Sequence, residues 1–157
     1  MDAPTDIRLP TGAAEDPVHP GWYSWGEFPR RSFAGTTGKL LFKPDGEGRA
    51  ICRIFPSERH MNMGGSIHGG AVMSFIDMAL FAGGRCAGMA EGHYVTLDLT
   101  THFIGRGQPG LPLDAHVELV RQTRSLVFLQ GVVRQDGEVC YSFTGTLKRI
   151  RDRNSPA

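Results

Sequence analysis

Asn62-Met63-Gly64-Gly65-Ser66-Ile67-His68-Gly69-Gly70, continuing as Ala71-Val72-Met73-Ser74-Phe75-Ile76-Asp77 and on to Cys86, carries more of the fold than any other stretch of this chain. From Gly69 to Cys86 the spacing predicts the longest helix. At 100° per residue Val72, Phe75, Ile76, Ala79 and Leu80 fall on one apolar stripe. The opposite face holds Met73, Asp77, Phe81 and Gly84, which is not an ordinary wet face. A helix apolar nearly all round is covered on more than one side. In a chain of 157 residues the natural second cover is another subunit.

The glycines ahead of this helix let the backbone approach a ligand closely. The N–H groups of the first helical turn have no intrahelical acceptor, and with the helix dipole they form a site for an anion or a developing oxyanion. Two turns further on, Asp77 is the only carboxylate between Ile67 and Gly84. Burial of such a group is costly unless it is hydrogen-bonded, and it moves the carboxyl toward the range useful for a base. Taken singly, each feature has a plain reading. Gly69-Gly70 serve equally as turn glycines, His68 as a satisfied core histidine, and Asp77 as a structural carboxylate. Their conjunction in one short window is what singles the segment out.

Outward from the helix the pattern is β. Lys39 to Lys43 and Arg49 to Phe55 read as strands flanking an Asp45-Gly46-Glu47-Gly48 turn, and Pro56 stops the second. Beyond Gly88 come His93 to Ile104, Leu113 to Gln122, Ser125 to Arg134 and Val139 to Ile150. The breaks between these four are too short for parallel crossovers, so neighbouring strands run antiparallel. The class is α+β: one long helix against an antiparallel sheet of five to six strands. Residues 1–20, with Pro4, Pro10, Pro17 and Pro20, read as a flexible tail. The main domain is expected over 21–150 and a short C-terminal tail over 151–157. Trp22 to Phe33, with five aromatics, reads as a short helix or an irregular lid on the core.

Composition narrows the function. Lys+Arg is 17 against Asp+Glu 16, so overall charge argues for neither nucleic acid nor an anionic membrane. Cys52, Cys86 and Cys140 are far apart and lack metal-site spacing. They imply no disulfide framework, zinc site or other metal, and point to a reducing compartment. With no secretory h-region in Met1 to Pro20 and no membrane-length apolar run, the expected location is the cytoplasm.

The pattern Asn62-x5-His68-Gly69-Gly70-x6-Asp77 resembles the active-site signature of hotdog-fold thioesterases. Within them it is most similar to the branch of PaaI-like phenylacetate-degradation proteins and thioesterase superfamily member 2. The similarity runs from about Lys39 to Leu147 and includes the element order. It implies an acyl-CoA thioesterase with Asp77 as the acid that activates or aims the hydrolytic water. Gly69 then matches the backbone N–H that polarises the thioester carbonyl. Asn62 and His68 match residues that orient water, thioester or loop, and Thr96 a hydroxyl that helps hold the water. On the coenzyme side Gly70, Arg124 and Ser125 correspond to binding positions, with Arg121 a weaker match. Arg149, Arg151 and Arg153 read as a solvated basic face. The resemblance also implies a homodimer with its site across the interface, Asn62, His68 and Gly69 of one subunit facing Asp77 and Thr96 of the other, and commonly a homotetramer. Coenzyme A enters as part of the substrate; no separate cofactor is implied. Gly105 to Gly110 is richer in glycine than the usual connection there, which bears on the pocket rim.

Two other functions fit the same fold. One is a non-catalytic acyl-CoA-binding module, which has no need of an acid in the helix. The other is a hydroxyacyl-thioester dehydratase, whose His-Phe and Pro-Gly elements Thr101-His102-Phe103 and Pro109-Gly110 superficially resemble. In those enzymes, however, the His-Phe precedes the central helix, and here it follows.

Overall fold

A computed structural model describes residues 9–150 of the chain. The long helix, α2, spans Gly69–Cys86 as the spacing predicts. In chain order the other elements are β1 (Ala14–Glu15), β2 (Tyr23–Ser24), α1 (Ala34–Thr37), β3 (Leu41–Pro44), β4 (Arg49–Ile54), a 3-10 turn (Glu58–His60), β5 (His93–Phe103), β6 (Leu113–Gln122), β7 (Leu126–Gln135) and β8 (Glu138–Ile150). All strand pairs are antiparallel, in the order β1-β2-β3-β4-β6-β7-β8-β5. The sheet therefore has eight strands where the sequence predicts five to six. The six long ones are the expected six, within two residues at each end.

The two additional strands come from the segments read as a tail and as a lid. Each has two residues, too few to show the alternation that betrays a strand. Residues 9–20 pack against the domain, in contrast to the expected tail; 1–8 and the expected C-terminal tail, 151–157, lie outside the described residues. Asp16 is the anchor. Its enclosed carboxylate accepts from the N–H groups of Val18 and His19, each at 3.1 Å, contacts His19 Nδ1 at 2.8 Å and pairs with the Lys39 ammonium. The Lys39 bond holds the Asp16 carboxyl well below the usual carboxylate range, against the opposing effect of desolvation. Trp22 lies under two cations, with its ring centroid 4.6 Å from Lys43 Nζ and 4.5 Å from the Arg53 guanidinium. Arg53 in turn grips Asp114 through two hydrogen bonds of 2.6 Å. The aromatic segment is thus a strap with a two-residue strand in it, followed by the short helix α1.

The predicted stripe Val72, Phe75, Ile76, Ala79 and Leu80 is fully buried against the sheet. Ala50, Cys52 and Ile54 of β4, Val117 of β6, Val127 and Leu129 of β7 and Phe143 and Leu147 of β8 form the other half of the core. The approach is closest at Gly83, where a Cβ would stand 2.7 Å from Val117 Cγ2. On an open helix Gly→Ala stabilises by about 1 kcal/mol. Here overpacking of about 1–3 kcal/mol opposes that gain. Gly83→Ala is expected to lower the urea midpoint with no change in slope, and a raised midpoint would show that the sheet yields. No described helix is long and apolar enough to cross a membrane.

Candidate active site

The segment before α2 is a small hairpin closed by the bridge Met61↔Ile67. Asn62 shapes it: Oδ1 accepts from Gly64 N at 2.8 Å and from Ser66 N at 3.1 Å. Shaping the loop is one of the roles that the resemblance leaves to Asn62, and these two bonds perform it. Gly65 sits at φ 78°, a backbone region open to glycine. The hairpin is tied to the glycine-rich connection after β5 by Ile67 N–Gly107 O at 3.0 Å and by Arg106 Nε–Ser66 Oγ at 3.0 Å. Gly107 donates to Tyr141 Oη at 2.9 Å. A Cβ there would lie 2.5 Å from that oxygen and 2.8 Å from Ile67 Cδ1, which accounts for one glycine of this run.

His68 is the N-cap of α2 and is exposed, so the core-histidine reading does not hold. Its Nδ1 accepts from Gly70 N at 2.9 Å, and its own N–H donates to His60 O at 2.7 Å. With Nδ1 an acceptor, the neutral imidazole carries its hydrogen on Nε2 and presents a donor outward. The Gly70 N–H is spent on this cap. The Gly69 N–H has no acceptor among the described residues, and the Phe103 ring stands beside Gly69, 3.3 Å from where a Cβ would be.

Asp77 is half-buried, on the helix face where Met73 remains exposed and Phe81 partly so. Gly84 of the same predicted face is buried against Leu129 and Met89. The face is therefore partly covered by the chain itself and open around Asp77. Thr96 Oγ1 donates to Asp77 Oδ1 at 2.6 Å. A β-bulge makes this contact possible. Thr96 pairs with Leu147 and Leu99 with Gly145, and both partners face the helix. In a regular strand, residues three apart point to opposite sides. The irregularity between Thr96 and Asp98 inserts one residue and puts both on the helix side.

Thr96 and Asp77 are thus brought together, as are His68, Gly69 and Gly70. The two groups are separate within one chain, since eight residues of helix between Gly69 and Asp77 correspond to ~12 Å of rise. Arg124 and Ser125 lie exposed on the β6–β7 turn, which Thr123 closes through its bond from Leu126 N at 3.0 Å. Leu126, Lys148 and Val95 share one transverse row of the sheet, so this turn sits at the Thr96 end of β5, two strand spacings away, about 10 Å. His102 points the other way. Like His116, Ser142 and Thr144, it lines a hollow of about 500 Å³ on the outer side of the sheet. Among the described residues no cluster of His, Cys, Asp and Glu is arranged to hold a metal ion.

The family model for the acyl-CoA thioesterase N-terminal domain matches residues 57–148, well over half of the chain and every residue of the two groups just described. The chain belongs to this family. Solved structures share its fold. The PaaI protein of the E. coli phenylacetic acid degradation operon is 22% identical over 71% of this chain and 80% of its own, with a TM-score of 0.63. Zebra fish thioesterase superfamily member 2 is 21% identical over 76% and 88%, with a TM-score of 0.61. A Streptococcus mutans protein bound to acetyl CoA is 18% identical over 72% and 90%, with a TM-score of 0.62. No curated protein sequence matches the chain. One long helix wrapped by an antiparallel sheet is the hotdog arrangement, extended in this thioesterase-family chain by β1 and β2.

Proposed function

We propose that the chain is an acyl-CoA hydrolase that works as a homodimer, releasing a free acid and coenzyme A by Asp77-directed attack of water. The observation that carries this reading is the 2.6 Å bond from Thr96 Oγ1 to Asp77 Oδ1. It fixes a carboxylate on the open face of α2 and leaves Oδ2, which has no partner among the described residues, to accept a proton from water.

The second half of the site comes from a second copy. A reacting carbonyl needs its oxyanion donor and its base each within about 3 Å of the reacting atoms, and ~12 Å of helix separates Gly69 from Asp77 in one chain. A two-fold axis that sets Gly69 of one protomer against Asp77 of the other meets this need twice over. The β5 edge supports it: eleven residues long and last in the strand order among the described residues, with Val95 and Leu97 exposed beside Thr96. In each site Asp77 takes a proton from water as its oxygen bonds to the thioester carbon. The charge passing to the carbonyl oxygen meets the Gly69 N–H, assisted by His68 Nε2–H. Collapse breaks the C–S bond, and the departing thiolate takes the proton held by Asp77. Arg124 and Ser125 are assigned to the coenzyme phosphates. Acetyl CoA on a protein of the same fold supports that ligand class.

The test is thiol release from a panel of aryl and aliphatic acyl-CoA esters. Tight acyl-CoA binding with no release would turn the reading to a binding module. Hydration of crotonyl-CoA faster than its hydrolysis would turn it to a dehydratase, against which the outward position of His102 already weighs. Oxygen-18 appearing in Asp77 after a single turnover in labelled water would replace direct water attack with an anhydride intermediate.

A further inference from the structure

A backbone N–H that receives an oxyanion points where its own stretch of chain is held. Two lines of contact run from the start of α2 into the sheet, and both end on Tyr141. The first is polar. Ile67, two residues before Gly69, donates its N–H to Gly107 O at 3.0 Å, and Gly107 donates its own to Tyr141 Oη at 2.9 Å. The second is apolar. Tyr141 of β8 is the cross-strand partner of Phe103 of β5, and their rings meet edge to face with centroids 5.4 Å apart. Phe103 is the ring that stands beside Gly69. Phe103 is exposed, whereas Tyr141 beneath it is only 2% exposed, so the tyrosine is the fixed member of the pair. The connection that carries Gly107 is anchored close by. Gln135, also buried, accepts from Gln108 N at 2.7 Å and donates to Gln108 O at 2.8 Å and to Leu111 O at 3.0 Å. On the outer side the exposed Arg106 donates to Ser66 Oγ and, at 3.4 Å, to Gly64 O of the hairpin.

We propose that the Gly105 to Gly110 connection is the brace of the oxyanion half of the site and that Tyr141 is its positioning residue. Through Gly107 the Tyr141 hydroxyl holds the Ile67 backbone, through Phe103 its ring backs Gly69, and together they aim the Gly69 N–H without touching substrate. The inference rests on the hydrolase reading and deepens it. Gly107 is buried and has no side chain to pack it in place. An enclosed N–H that loses its acceptor is costly to leave unpaired, so without the hydroxyl Gly107 shifts to find another partner. Its carbonyl carries the Ile67 N–H with it, and His68 and Gly69 follow in the chain. A displacement of about 1 Å at a reacting centre costs up to about 10²-fold in rate.

Tyr141→Phe removes the hydroxyl and keeps the ring. Its kcat for acyl-CoA hydrolysis is expected to fall by about 10-fold or more, with KM near wild type because the enclosed side chain meets no substrate. The same substitution in a Gly69→Pro background, which has no N–H left to aim, should cost no further kcat. A hydroxyl that only supports the fold would cost the same factor in both backgrounds, and that result overturns the proposal. So does an unchanged kcat, or a raised KM at unchanged kcat. Should Tyr141→Phe not fold, the exposed Arg106→Gln carries the test: its loss of kcat should likewise vanish in the Gly69→Pro background, and an equal loss in both overturns the brace. Amide hydrogen exchange separates this inference from the hydrolase reading beneath it. In Tyr141→Phe the Ile67 amide should exchange about 5-fold faster or more, while the amides of β7 stay at the wild-type rate. Faster exchange at Ile67 in a chain that releases no thiol keeps the brace and removes only the hydrolase. Unchanged exchange there overturns the brace whatever the activity.

Discussion

Asp77→Asn is expected to lower kcat for acyl-CoA hydrolysis by about 10³-fold, within the range of a lost general base, while coenzyme A binding stays near wild type. The amide keeps the shape of the carboxylate and can still accept from Thr96, so the substitution removes the proton acceptor and little else. Asp77 is half-buried on the open face and contributes nothing to the core stripe, so the variant should fold as well as the parent. Thr96→Val tests the same pair from the other side. Loss of a hydrogen bond to a charged group corresponds to about 10- to 100-fold in rate, and Thr96→Ser should recover most of it. Full turnover in Asp77→Asn would refute the proposed chemistry and leave the family assignment standing. Steady-state thiol release, with circular dichroism as the folding control, reads both.

The parts of this molecule that were legible beforehand are those where one local signal repeats. The helix Gly69–Cys86 shows because five apolar residues recur at its period, and the last four strands show because short polar breaks separate long alternating runs. What stayed hidden depends on residues distant in sequence. The Asp16–Lys39 pair joins positions 23 apart, and no period at Ala14–Glu15 or Tyr23–Ser24 marks two-residue strands. The Gly107–Tyr141 bond joins positions 34 apart. Around the motif the structure adds what spacing cannot give: the bulge that aims Thr96 at Asp77, the tautomer that the Gly70 N–H imposes on His68, and the bonds by which Asn62 shapes its loop. Asp77 is half-buried in the single chain, and the second cover that the sequence predicts for its helix face is another subunit.

Gly69→Pro is the sharpest test of the other half of the site. Gly69 is the first helical residue after the N-cap His68, a position where proline is well tolerated. His68, at φ −62° and ψ 135°, already has the extended backbone that a following proline demands. The substitution therefore deletes one N–H and keeps the helix. Loss of an oxyanion donor corresponds to about 10²- to 10³-fold in kcat. Both proline and alanine would bring a Cβ within 3.3 Å of the Phe103 ring, so Gly69→Ala is the control that adds the contact and keeps the donor. If Gly69 and Asp77 of different protomers form each site, mixing the inactive Gly69→Pro and Asp77→Asn proteins and letting the subunits exchange restores activity. In the heterodimer one site unites an intact Gly69 with an intact Asp77, and the other carries both defects. With half of the dimers mixed and half of their sites intact, recovery should approach about a quarter of wild type. Were both residues to act within one protomer, no exchange could create an intact pair, and the mixture would stay as inactive as its parents.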